Sequence, residues 1–119
     1  MFAVMIEFYG YKKCQTSNKI ESYLKNKNIE YQFIDILEKP PSKTLLQTIM
    51  KEKQIEPKAF INNCSAPYRE MKLKDKLPTM NKDEVLKLLI ENPKLFKRPL
   101  VVDKTNKKYT IGNEALKEF

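Results

Sequence analysis

The chain contains no histidine. Any site that needs imidazole as a base or a metal ligand is excluded, which removes Cys-His hydrolases and most zinc sites. There are two cysteines, Cys14 and Cys64. They are too few for a disulfide framework, and a reducing compartment would keep both as thiols. Two distant cysteines without histidine also supply too few ligands for a metal, so no metal is expected. No apolar run approaches the roughly 18 residues that span a bilayer. Met1 to Ile6 is apolar, but it lacks a basic flank and a small-residue cleavage site, and Glu7 interrupts it. A cytoplasmic protein without membrane association is expected. Arginine is scarce as well: Arg69 and Arg98 are the only two among 23 basic residues.

What is present suits one ordinary domain. A chain of 119 residues with 41% hydrophobic and 32% charged residues can bury a core without staples. The net charge is +8, yet it is spread along the chain. Residues 1–60 carry ten basic and seven acidic side chains and residues 61–119 carry thirteen and eight, an excess of +3 and +5. No basic tract is interleaved with aromatics, so direct binding of nucleic acid is not expected.

Ala3 to Tyr9 is a β-leaning apolar run closed by Gly10, which predicts a central strand. From Thr16, the apolar residues Ile20, Tyr23 and Leu24 recur at helical spacing, so an amphipathic helix opens just after Cys14. Ile29 to Asp35 alternates as a strand does, giving a β-α-β unit whose length suits a right-handed parallel crossover. Lys39-Pro40-Pro41 ends this unit. Ser42 is a natural N-cap for a helix from Lys43 to about Lys53, Ile55 to Pro67 reads as loop, and Asn81 to Glu84 resembles a capping box for a helix that stops at Asn92-Pro93. Strands at Leu100 to Val102 and Lys108 to Ile111, separated by a short turn, predict an antiparallel hairpin followed by a terminal helix. The order β-α-β, helical segment, β-β-α is that of a thioredoxin-like α/β fold. It predicts a mixed four-stranded sheet with a helical insertion: one domain over 1–119, its core in 1–36 and 97–119 and its insertion in 37–96.

Cys14 occupies the turn between the first strand and the first helix. Free N–H groups at a helix start and the helix dipole favour a thiolate, and Lys12, Lys13 and Lys19 add positive charge. Cys14 is therefore the candidate nucleophile, with Lys13, Thr16 and Ser17 as its supports. A thioredoxin-type motif would carry a second cysteine where Ser17 stands. The site is thus monothiol. Ser17 either donates to the thiolate or braces the first helical turn. A second thiol must regenerate Cys14: glutathione, a partner protein or Cys64, the alternative for Cys64 being a packed loop cysteine. Arg98 precedes Pro99, a candidate for a cis peptide bond, at the entry to a strand. Its guanidinium can clamp an oxyanion or carboxylate while Pro99 shapes the pocket. Arg69 reads as a surface residue. A phosphatase loop, C-x5-R, is excluded because Ile20 stands at the arginine position.

Three stretches together, Tyr9 to Lys19, Tyr68 to Leu77 and Asn92 to Pro99, resemble the arsenate reductase (ArsC)/Spx family across nearly the whole chain, and the thiol reductase-like branch in particular. The resemblance implies a thioredoxin fold with a helical insertion. It also implies that the cysteine matching Cys14 attacks substrate, that the arginine matching Arg98 holds the oxyanion, and that glutathione and glutaredoxin complete the reduction. Two further arginines of the reductases have no match: Asn62 stands at one position, and none lies near Lys107 or Lys108. Spx-type regulators of the same family bind RNA polymerase and usually carry C-x-x-C, which Ser17 interrupts. The expectation is a monomeric thiol-dependent reductase with no bound cofactor and glutathione or a glutaredoxin-like protein as reductant. The alternative is a non-enzymatic regulator that binds RNA polymerase.

Overall fold

The computed structural model describes residues 6–119. The predicted start of the first strand at Ala3 lies outside the described residues. The chain divides into two compact units, one comprising the residues through Lys39 together with Arg98–Phe119, the other Pro40–Lys97.

The first unit holds a mixed four-stranded sheet in the order β2-β1-β3-β4, with β1 Ile6–Gly10, β2 Gln32–Asp35, β3 Leu100–Asp103 and β4 Lys108–Ile111. Strand β1 runs parallel to β2 and antiparallel to β3, and β3 runs antiparallel to β4. β1 is thus central, as its apolar run predicts. The register aligns Phe33, Phe8, Val101 and Thr110 in one row across the sheet. Phe8 and Val101 from this row are fully buried with Ile20 and Leu24 of α1 (Gln15–Asn26) and Ala115 of the last helix, α6 (Ala115–Glu118), α2 to α5 lying in the second unit. Helix α1 thereby buries the face carrying its i, i+4 apolar pair. Leu116 and Phe119 pack at the edge of this cluster, so the terminal helix does return to the sheet.

One boundary differs from the sequence expectation. The second strand was expected from Ile29 but begins at Gln32. The Ile29 N–H donates to the Leu24 carbonyl and Asn28 adopts φ 58°, so these residues finish α1 instead of starting a strand.

The second unit contains α2 (Lys43–Lys53), the short α3 (Ala66–Glu70) and α4 (Leu73–Lys76), and α5 (Lys82–Glu91). Ser42 caps α2 by accepting from Leu45 N–H. Asn81 and Glu84 form the reciprocal capping box of α5, at 2.8 and 2.9 Å. Ile55 to Pro67 is more ordered than a loop: Pro57–Phe60 forms a 3₁₀ turn, and Ile61 bridges Phe96. The Phe60 and Phe96 rings meet edge to face at 6.4 Å, which supplies the apolar contact that periodicity could not reveal.

Candidate active site

The sheet register brings four chain segments to one end. Gly10 pairs with Asp35, Tyr9 with Leu100, and Leu100 with Ile111. Cys14 lies four residues beyond the end of β1, and Arg98 lies two residues before β3, so both emerge at this end of the sheet. Cys14 and Arg98 are each half-buried, accessible yet partly fenced.

Cys14 is the N-cap of α1, in extended conformation, and its side chain makes no capping hydrogen bond. Its carbonyl accepts the Asn18 N–H at 3.0 Å, and its own N–H donates to the Tyr11 carbonyl at 3.0 Å. A side chain at this position stands beside the unpaired N–H groups of the first helical turn. The preceding turn is tied to α1 by two more bonds. Ser17 Oγ accepts the Tyr11 N–H at 2.9 Å, and Asn18 Nδ2 donates to the Lys12 carbonyl at 2.8 Å. Ser17 is fully buried, and its hydroxyl oxygen is engaged with the turn that carries Cys14. Thr16 is half-buried in the first turn, and Lys13 is exposed beside Cys14.

Lys12, expected to add charge near the thiol, has two partners of its own. Its Nζ lies 3.0 Å from Glu21 Oε1 and 4.1 Å from the centre of the Phe33 ring. Glu21 is only 6% exposed and also accepts from the Tyr31 hydroxyl at 2.6 Å. A buried carboxylate is costly unless paired, so it attracts the nearest flexible cation. Burial, followed by the hydrogen bond to Glu21 and the charge of Glu21, holds the Tyr31 phenol above its usual range. It therefore remains a donor at neutral pH.

Arg98 joins Pro99 through a cis peptide bond. Its guanidinium carbon stands 5.4 Å from the centre of the Tyr11 ring. Pro99 is buried, and its carbonyl accepts the Gly112 N–H at 2.9 Å, which binds the entry of β3 to the end of β4. Tyr11 thus touches both candidate residues: Cys14 through its backbone and Arg98 through its ring. Sequence reasoning singled out neither Tyr11 nor Glu21. The available signals were an aromatic residue inside the Gly10-to-Cys14 turn and an acidic residue between Ile20 and Leu24 on the apolar side of α1.

Cys64 belongs to the second unit. It is exposed, its thiol 3.6 Å from Asn63 Oδ1, so the packed-cysteine alternative does not apply. Arg69 is exposed and donates to the Cys64 carbonyl at 2.8 Å. Asn62 holds the same loop: its side chain accepts from Cys64 N–H and its N–H donates to the Leu95 carbonyl. Among the described residues no helix is long and apolar enough to cross a membrane, and no group of three ligand-type side chains could hold a metal ion.

The ArsC family model matches residues 9–118. The uncharacterized protein YusI of Bacillus subtilis strain 168 is 39% identical over 107 residues, covering 90% of this chain and 89% of YusI. The regulatory protein MgsR of the same organism is 33% identical, covering 90% of this chain and 82% of MgsR. A solved structure described as a possible arsenate reductase from Streptococcus mutans UA159 superimposes with a TM-score of 0.83 at 35% identity, covering 92% of each chain.

Proposed function

Because the chain belongs to the ArsC family, we propose that it is a thiol-dependent reductase in which Cys14 is a monothiol nucleophile and Arg98 receives an anionic group of the substrate. The observation that carries this reading is the convergence of the Cys14 N-cap and the Arg98 guanidinium on Tyr11 at one end of the sheet. The likeness to a possible arsenate reductase supports the reaction class. With a disulfide substrate, the Cys14 thiolate attacks one sulfur, a Cys14 mixed disulfide forms, and the other sulfur leaves as a thiolate. A glutathione thiolate then attacks the Cys14 sulfur of that mixed disulfide, releasing the second substrate thiol and leaving Cys14 glutathionylated. A second glutathione, or a glutaredoxin-like protein, takes that group and returns the Cys14 thiolate; two glutathione molecules are oxidised per disulfide reduced. Arg98 offers a planar fork of donors to an anion, and the Tyr11 ring restricts its orientation.

The test is glutathione-dependent turnover of arsenate and of an organic disulfide, with wild type compared with Arg98→Ala and Cys64→Ser. Arg98→Ala is expected to raise KM for anionic substrates about tenfold or more, the scale of one lost charge-assisted bond. Cys64→Ser is expected to leave turnover intact. An unaffected Arg98→Ala variant would remove Arg98 from the site.

The 33% identity to the regulatory protein MgsR supports a second reading, a regulator, for which the resemblance to Spx-type regulators makes RNA polymerase the expected partner. On that reading purified polymerase would bind the wild-type chain and the Cys14→Ser variant alike, measured by co-sedimentation, with no turnover of either substrate. Absence of binding would leave the reductase alone.

A further inference from the structure

Cys14, Ser17, Asn18 and Glu21 lie at i, i+3, i+4 and i+7, one stripe of α1. Three of the four hold the turn before Cys14: Ser17 through Tyr11 N–H, Asn18 through the Lys12 carbonyl and Glu21 through Lys12 Nζ. Glu21 is seven residues from Cys14, about 10 Å along a helix axis. The carboxylate that holds the Lys12 ammonium thus belongs to a residue two turns beyond Cys14, although the Lys12 backbone is only two residues from Cys14. Two features hold that ammonium, the Glu21 carboxylate at 3.0 and 3.4 Å and the Phe33 ring at 4.1 Å.

We propose that Glu21 is a positioning residue that withholds the Lys12 ammonium from Cys14, so that Glu21 sets how much positive charge the nucleophile experiences. This inference rests on the reading of Cys14 as the nucleophile. The remaining charged groups leave Glu21 as the determinant. Lys13 is exposed next to Cys14, and Arg98 lies over Tyr11. Asp35, at the end of β2, accepts from Leu37 N–H, and Glu114, before α6, accepts from Ile111 N–H. Tyr31, leading into β2, donates to Glu21, and Lys25 on α1 is exposed one turn beyond it. Glu21 is the buried anion in contact with the turn, and Lys12 is the cation it holds. In Glu21→Gln the amide can still accept from Tyr31, but the charge that retains Lys12 is gone. The flexible four-carbon stem is then free to carry the ammonium toward the N-cap.

The experiment measures the alkylation rate of Cys14 by iodoacetamide across pH, resolved by peptide mass spectrometry, in the full chain. Four proteins are compared: wild type, Glu21→Gln, Lys12→Met and the double variant, each checked for its fold by circular dichroism. Glu21→Gln is expected to react about threefold faster at pH 7, the effect of a unit charge brought to about 6 Å in a water-like medium. Lys12→Met should retain the wild-type profile, and the double variant should return to it. A Glu21→Gln rate equal to or below wild type overturns the inference. So does a Lys12→Met rate that falls threefold, because Lys12 would then already serve the thiolate; this arm decides even if Glu21→Gln does not fold. A slow Cys14 in the wild type would instead defeat the nucleophile reading itself, so the two failures are distinct.

Discussion

Replacing Cys14 with serine is expected to abolish thiol-dependent reduction, a loss of about a thousandfold or more in kcat/KM, with the fold retained. Cys14 caps α1 without a side-chain hydrogen bond, so removing the sulfur breaks no bond that holds the turn. A serine hydroxyl is an accepted N-cap group. The chemistry is what disappears: a hydroxyl is not ionised at neutral pH and cannot form the mixed disulfide. No cysteine stands at position 17 to take over, since Ser17 is there. Steady-state glutathione oxidation with a disulfide substrate checks this, alongside thermal unfolding to show that the variant is folded. Residual turnover within tenfold of wild type would mean that Cys14 is not the reacting group.

The second large effect falls on stability. Gly10 closes β1 directly beneath the Cys14 turn. A Cβ there would overlap Ser17 Oγ and the edge of the Phe8 ring, whose Cδ1 lies 2.9 Å from its ideal position. Both neighbours are fully buried, and Ser17 is also committed to Tyr11 N–H. Neither can swing into solvent. Gly10→Ala is therefore expected to destabilise the chain by about 1–3 kcal/mol, the cost of overpacking a filled core. Moving Ser17 would also loosen Tyr11, so the alkylation of Cys14 should change along with the unfolding midpoint in urea. A fully stable Gly10→Ala variant would show that this close approach is not required.

Much of the fold was legible because local and tertiary signals agreed. The apolar run ending at Gly10 became the central strand, Ser42 and Asn81 became caps, and Ala115, Leu116 and Phe119 returned to the sheet. Where a reading failed, a tertiary contact had overridden local pattern. Ile29 alternates correctly for a strand but is drawn into the end of α1 by its bond to Leu24. Ile55 to Pro67 has loop composition, yet Phe60 and Ile61 are held by Phe96.

The candidate site divides in the same way. Cys14 and Arg98 could be found by residue type and by their positions at the ends of predicted elements. Their convergence on Tyr11 depends on the register between β1 and β3, which no single segment encodes. Lys12 is the clearest lesson. Sequence proximity to Cys14 suggested an electrostatic role there, and what the sequence does not show is the buried carboxylate seven residues beyond Cys14 that pairs with the ammonium. Glu21 reads in the sequence as one of the polar residues of α1; only the packed structure shows it buried and identifies its partners.

The central claim is that the fold makes Cys14 a reactive nucleophile and not merely an accessible thiol. Cys64 supplies the reference within the same molecule, because it is the more exposed of the two and precedes the Ser65 cap of the five-residue α3, whereas Cys14 is itself the cap of the twelve-residue α1. Site-resolved alkylation of the native chain with limiting iodoacetamide at pH 7 compares them directly. The account predicts that Cys14 is modified at least about tenfold faster than Cys64 despite its lower exposure. Equal rates, or faster labelling of Cys64, would contradict it.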